Sequence, residues 1–294
     1  MPRVTADLGA VPETLLWNLH HRALEARRPD SVLHDPEALR LVGEIDFPFS
    51  ERFGDSAVLG QAQALRARAF DREIRRFLTA ADGAGPPTVI ALGEGLETHF
   101  ARVDDGRVYW VTVELPEVAA LRARLLPPDP GRQMLIGRDV LDPGWIAEVA
   151  AAPGFAAGAV LLVAQGLLMY LEPDDVHALL GRLAAAYPGA ALLFDAIPRW
   201  YSDTTVRGSV RTAEGYRAPP MPWGLDRAER TRLLAQPGIA ELCDVAPERG
   251  RGLLQAQILP ALARIPPARR ALPFPAPHVL RFAAAGPDSS EFLS

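Results

Sequence analysis

The sequence contains no lysine: all 31 of its basic residues are arginines. That excludes Schiff-base chemistry on a lysine amine and the lysine of a phosphate-binding P-loop. A single cysteine, Cys243, among 294 residues excludes a disulfide framework and a cysteine-built zinc site. Positive charge is not in excess, since 36 acids against 31 arginines leave −5, the wrong sign for a nucleic-acid footprint. No apolar run approaches the roughly 20 residues that cross a bilayer. The stretch MPRVTADLGAVPE lacks the apolar core of a signal peptide. These absences leave a cytoplasmic globular enzyme as the expectation, with neither a membrane nor a nucleic-acid partner. The 6 histidines show no metal-ligand spacing, so no metal is expected.

What is present divides in two. Residues 1–80 carry helical patterns only. A first helix is predicted from about Pro12 to Arg28, stopped by Pro29, with Leu16, His20, Ala23 and Leu24 on one stripe. A second piece follows Asp35-Pro36. A third, Ala57 to Leu78, places Phe70, Ile74, Phe77 and Leu78 on one face and Arg68, Arg72, Arg75 and Arg76 on a solvated stripe. Arg66 lies four residues before Phe70, in the apolar phase, and is expected to point inward. There it needs a carboxylate or phosphate partner, unless it snorkels to water.

From Thr88 the pattern changes. Short β-branched runs at 88–93, 108–113, 134–137, 159–164 and 191–197 alternate with helical segments at 117–125, 143–151 and 173–187. That alternation predicts βαβ units and a parallel sheet. AELCDVA (240–246) and HVLRFAAA (278–285) read as late strands, and ARIPPARRALPFPAP as an ordered surface crossing.

Open parallel sheets bind ligands at the carboxyl ends of their strands. The first such turn here is Gly93-Glu94-Gly95-Leu96-Glu97-Thr98. It has two glycines of GxGxxG, but Thr98 stands where the third would allow close helix packing, which weakens a dinucleotide reading. Glu114 follows Gly93 by about 20 residues, where an acid can accept both ribose hydroxyls of an adenosine; alternatively it is a strand-end acid beside the helix that Pro116 opens. Asp139-Val140, after the third strand, could meet the adenine or simply form a turn. Glu94 and Glu97 would repel a pyrophosphate. A ligand with a positive centre and no phosphate suits the turn better, and S-adenosylmethionine is such a molecule. Arg66 could pair with its carboxylate.

The chain resembles the leucine carboxyl methyltransferase family, in its bacterial branch. PETLLWNLHHRALEARRPDSVLHDPEA (12–38) is similar to the N-terminal signature, and Arg66 with AFDREIRRFL (69–78) to the next helix. VIALGEGLETHFARVD (89–104) resembles the cofactor turn, VTVELPEV (111–118) the ribose segment, and GRDVLDPGW (137–145) the adenine side. AQGLLMYLEPDDV (164–176), WGLD (223–226) and HVLRF (278–282) match later positions. The resemblance implies an α/β, class I methyltransferase (Rossmann-like) fold: a mostly parallel seven-stranded sheet with helices on both faces and an N-terminal helical cover. It implies one domain, with the cover at 1–80, the sheet at 86–294 and a lid insertion around 198–235. It assigns S-adenosylmethionine to Arg66, Gly93, Glu94, Gly95, Glu114, Leu115, Asp139, Val140, Gln165 and Gly166. The chain departs from the family at Glu94 (usually alanine), Glu97 and His99 (usually Asp and Arg) and Gln165 (usually glutamate, toward the cofactor's ammonium). Glu94 is expected either to substitute for that glutamate or to obstruct the pocket.

The expected activity is S-adenosylmethionine-dependent O-methyl transfer to a carboxylate or hydroxyl of a small, polyketide-like natural product. The alternatives are a methyltransferase-fold enzyme that catalyses cyclisation, decarboxylation or elimination, and a non-catalytic binding protein. A carboxylate acceptor is already ionised, whereas a phenol gains from a base. His20 and His21 are the candidates, although His20 on an apolar stripe reads equally as a core residue; His99 could cap a helix. Arg199 is the candidate for a substrate carboxylate. Trp17, Met169, Tyr170, Trp200, Tyr201 and Trp223 are candidates to line the acceptor pocket, and Trp200 and Trp223 read equally as packing.

Overall fold

The computed structural model describes residues 4–5, 10–81, 85–155, 159–208, 219–258, 261–262 and 275–284. The N-terminal portion comprises β1 (Val4–Thr5), α1 (Ala10–Ala26), α2 (Pro36–Glu44), β2 (Ile45–Asp46), α3 (Phe49–Phe53) and α4 (Ala57–Ala80). Asp35 caps α2 by accepting from the Ala38 amide, with Pro36 in the first turn, where its missing N–H costs nothing. Ser56 caps α4 through the Leu59 amide. The cover has an apolar cluster of its own, in which Leu16, Leu19, Leu41, Ile45, Phe49 and Phe53 close against Leu96, Leu121 and Leu125 of the sheet portion.

The sheet portion follows as β3 (Thr88–Leu92), α5 (His99–Val103), β4 (Tyr109–Glu114), α6 (Pro116–Leu125), β5 (Gln133–Gly137) and α7 (Gly144–Ala150). Then come β6 (Val160–Ala164), α8 (Pro173–Ala186), β7 (Ala191–Ala196), α9 (Arg199–Val206), α10 (Arg227–Ala235), β8 (Ile239–Asp244) and β9 (Ala276–Phe282). The order across the 7-stranded sheet is β5-β4-β3-β6-β7-β9-β8. Every pair from β5 to β7 is parallel, and β9 runs antiparallel to both neighbours. Strand order reverses between β3 and β6, which opens a crevice at their carboxyl ends.

Period-2 alternation sorts the side chains of each strand to opposite faces. Ile90, Leu92, Val111, Val113 and Leu162 join the core under α7 and α8. Val89, Ala91, Trp110, Leu161 and Val163 meet Phe70, Ile74 and Leu78 of α4. Both faces are thus covered, as a parallel sheet requires. The stripe of α4 arginines is less solvated than its phase suggests: Arg68 and Arg72 both clamp Glu248. Of the insertion expected around 198–235, residues 209–218 lie outside the described residues, as does most of the surface crossing at 263–277. No helix among the described residues is long and apolar enough to cross a membrane.

Candidate active site

A cavity of about 180 Å³ sits at the strand ends, between the sheet and the first turns of α1. Gly93, Gly95 and Gly166 form its floor and wall, with positive φ of 59°, 57° and 68°. A side chain is excluded at each. A Cβ on Gly93 would lie 2.8 Å from Leu167, on Gly95 3.0 Å from Leu15, and on Gly166 2.5 Å from an Arg66 nitrogen. Glu114 closes one end. Its Oε2 accepts the Gly95 amide at 2.7 Å and its Oε1 the Leu115 amide at 3.0 Å. Burial pushes its carboxyl up, and those two N–H donors and the Arg122 guanidinium pull against it. Each oxygen keeps a lone pair free for a further donor. Leu115, Asp139 and Val140 line the same end; Asp139 also holds its turn by accepting the Leu141 amide at 2.8 Å.

Arg66 points inward, 9% exposed, and meets its carboxylate: Asp195 at the end of β7 lies 2.8 Å from its Nε. Asp195 also accepts the Gly166 amide at 2.6 Å, and Arg66 donates to Gln63 at 3.0 Å. The sequence reading missed Asp195, although an acid inside an otherwise apolar strand was a usable signal.

The altered turn is partnered from behind, with Glu94 Oε1 and His99 Nε2 left buried without a hydrogen bond. Glu94 does not face the cavity. Its Oε2 accepts from Thr112 Oγ1 (2.7 Å) and Trp110 Nε1 (3.2 Å) and lies 2.9 Å from Arg122, among residues that point to the α4 side of β4. Glu94 therefore neither obstructs the pocket nor stands in for a cavity carboxylate. Glu97 is 6% exposed and pairs with Arg22 of α1, with Arg102 at 3.4 Å. Burial pushes its carboxyl up, but Arg22, His99, Arg102 and Arg66 together hold it well below the usual range. Arg22 also reaches Asp35 at 3.1 Å, and Arg102 ties Asp35 (2.9 Å) to Asp71 (2.7 Å). His99 does not cap its helix. It bonds Asp71 at 2.6 Å, fully buried. Of this network only Glu97 and His99 were singled out from sequence; Arg22 could have been, since it follows Leu15 by two turns on the face toward the cofactor turn.

The other candidates separate. His20 is a core residue: its Nε2 is 3.0 Å from both Gly54 O and Asp55 Oδ1, and its ring stacks on Phe49. His21 is fully buried and donates from Nδ1 to Trp17 O at 2.8 Å, which leaves Nε2 as an acceptor without a partner. Burial lowers its pKa to about 4. The Trp17 ring lies 4.5 Å away, its Nε1 also unpartnered. Tyr170 lines the cavity and hydrogen-bonds Thr14 of α1, while Met169 and Tyr201 pack beside it with Ile197 and Met221. Arg199 and Trp200 do not converge on the cavity. Arg199 is exposed and pairs with Asp203 at 3.1 Å, and Trp200 is 46% exposed against Tyr201. Trp223 is core, with no exposure and its Nε1 bonded to Glu229. In each case a local partner or apolar packing holds the side chain elsewhere.

The profile of the leucine carboxyl methyltransferase family matches residues 16–184. The tetracenomycin polyketide synthesis O-methyltransferase TcmP of Streptomyces glaucescens is 36% identical over 197 residues, 67% of this chain and 69% of that protein. The S-adenosyl-L-methionine-dependent methyltransferase dpfgK of Gibberella zeae is 30% identical over 196 residues, 61% of this chain and 64% of that protein. Among solved structures, an inferred methyltransferase from Thermobifida fusca YX superposes with a TM-score of 0.55 at 20% identity, covering 91% of this chain and 94% of that one. A DUF574 family protein from Streptomyces avermitilis gives 0.53 at 19% identity, over 82% and 93%. These two share the fold.

Proposed function

This chain belongs to the leucine carboxyl methyltransferase family, and from that premise we propose an S-adenosylmethionine-dependent O-methyltransferase that acts on a small, polyketide-like natural product. The observation that carries the reading is the glycine cradle closed by Glu114. Three positive-φ glycines clear the backbone at the switch point, and a buried carboxylate with free lone pairs stands where ribose hydroxyls would donate. When bound, the cofactor supplies an electrophilic methyl group on a sulfonium.

The residues around it do the rest. Glu114 and Asp139 would hold the nucleoside, and Arg66, already anchored on Asp195, keeps its remaining nitrogens beside Gly166 for the carboxylate of the amino-acid end. Methyl transfer is an in-line displacement, so alignment of the acceptor against this fixed floor is the main requirement. Tyr170 and, from α1, Thr14 and Leu15 line the cavity on the side left for an acceptor. A carboxylate acceptor needs no base there; His21, a neutral imidazole whose tautomer is fixed by Trp17 O, is buried outside the cavity lining, and with its pKa lowered to about 4 it is a weak base for a hydroxyl.

Calorimetry with S-adenosylmethionine and S-adenosylhomocysteine tests the cofactor half: both are expected to bind, with Glu114→Ala weakening both at least tenfold. Absence of binding by either ligand would overturn the reading. Release of S-adenosylhomocysteine over a panel of aromatic carboxylic acids and phenols then identifies the acceptor oxygen.

A further inference from the structure

Arg68 follows Arg66 by two residues, a rotation of about 200° around α4. The cation in the site and the arginine stripe therefore lie on opposite sides of one helix. The outer side is concave. A groove of about 600 Å³ runs along it, walled by Arg68, Arg72, Arg75 and Arg76, with Thr79 and Ala80 at the helix end and Glu248 from the chain after β8. From Arg68 to Thr79 the helix rises about 16 Å.

The four guanidiniums are not equivalent. Glu248 takes both Arg68 and Arg72, whose other nitrogens donate to Glu73 and to the carbonyls of Val32, Arg249 and Ala246. Their charge is met and their geometry fixed. Arg76 is 67% exposed and shares Glu73 with Arg72. Arg75 donates to the Arg102 carbonyl at 2.5 Å and has no ion pair among the described residues. Two carboxylates thus serve four cations, and the surplus sits at Arg75 and Arg76. In a chain of net charge −5 this is a local reversal of sign.

The shape of the groove separates the anions that could meet this surplus. A compact phosphate needs donors that converge on one point, whereas these step along a helix by about 5 Å per turn. A polynucleotide relies on about 6–10 phosphate contacts, far more than two uncompensated cations supply. An anionic lipid surface is flat. What fits is an extended, rigid anion of the same period. A helix with carboxylates at i, i+4 and i+7 meets that description, its small apolar residues entering between the arginine stems.

We propose that the outer face of α4 docks an acidic helix of a partner protein. Arg75 and Arg76 pair with its carboxylates, and Arg68 and Arg72, braced by Glu248, supply a fixed wall of aliphatic stem. Because groove and cavity use opposite sides of α4, the cavity stays open with the partner in place.

The test presents the whole chain with two alanine-based peptides of about 20 residues, long enough to form helices in water. One carries glutamates at i, i+4 and i+7; the other has the same composition with its glutamates spread around the helix. By fluorescence anisotropy at low ionic strength, the first is expected to bind about tenfold tighter than the second and to weaken as salt is added. Arg75→Glu combined with Arg76→Glu is expected to cost the first peptide about tenfold or more, with an unchanged circular dichroism spectrum. Should that reversal unfold the chain, Arg75→Gln with Arg76→Gln removes the charge alone and is expected to show a loss in the same direction. Equal binding of the two peptides would reduce the groove to a bare positive field and overturn the proposal. So would no binding of the first peptide, an affinity unchanged in the folded variant, or tighter binding of pyrophosphate or a short oligonucleotide than of that peptide.

Discussion

His21 is the clearest case of a single residue whose surroundings decide its chemistry. Burial removes water from the imidazole, and the one hydrogen bond it makes, to Trp17 O, is equally available to the neutral ring. The folded chain therefore resists protonation at His21, with a pKa near 4 against an ordinary 6.5. The unfolded chain takes up that proton as pH falls through 6.5, so stability from this residue is present above 6.5 and drains away toward 4. From pH 7 to pH 5 the loss should be about 2 kcal/mol. His21→Phe keeps the ring beside Trp17 and has no proton to bind. Urea unfolding at both pH values should show the wild type losing about 2 kcal/mol more than this variant. Equal losses would mean that the folded imidazole takes up its proton as readily as the unfolded one, and would overturn the reading that burial keeps it neutral down to pH 5. Arg66 teaches the complementary lesson: its inward phase was legible in the helical spacing, but its partner was not, because Asp195 arrives from a strand far along the chain.

At the scale of elements, legibility followed local periodicity. The strands β3 to β7 and helices α1, α2, α4, α6, α7 and α8 were readable because each buries a face or is buried whole, which writes a period of 2 or 3.6, or an unbroken apolar run, into the sequence. The short α3 and α5 and the two-residue pairing of β1 with β2 span too few residues to show a period, and tertiary contacts decide them. Gly93, Gly95 and Glu114 were legible for a different reason: a strand end followed by glycines and then an acid is a backbone requirement that shows in one dimension. The buried network behind the turn was not, since arginines and carboxylates look alike whether solvated or paired. α4 joins these observations, with one face on the sheet and one cation in the site. Ile74, fully buried between Trp110 and its neighbours on the sheet, should cost about 2–5 kcal/mol when cut to alanine, read by denaturant unfolding. Because α4 also carries Arg66, S-adenosylhomocysteine affinity should fall with it. An unchanged affinity would show that the sheet and Asp195 hold Arg66 without help from the helix.

For the whole molecule, the question is what holds the cover over the strand ends. Apolar contact supplies part of it, through Leu96, Leu121 and Leu125. The specific tie is Arg22, which brings α1 onto Glu97, Asp35 and the Leu96 carbonyl at once, with almost no exposure to water. Removing one member of such a buried group leaves carboxylates without compensation, which costs more than the intact group contributes. Arg22→Ala is therefore expected to destabilise the fold by about 3–5 kcal/mol at pH 7. Acid distinguishes this electrostatic cost from lost packing. Glu97 has its carboxyl held below its ordinary value in the fold, Arg22 being the largest of the lowering causes, so its stabilisation is present above that value, 4.5, and is lost as pH falls below it. The gap between wild type and Arg22→Ala should narrow as pH is lowered from 5 to 3, because protons then neutralise the Glu97 carboxylate that the arginine no longer meets. A gap that stays constant through that range would assign the role of Arg22 to the packing of its aliphatic stem instead, and the cover would then be held by its apolar seam alone.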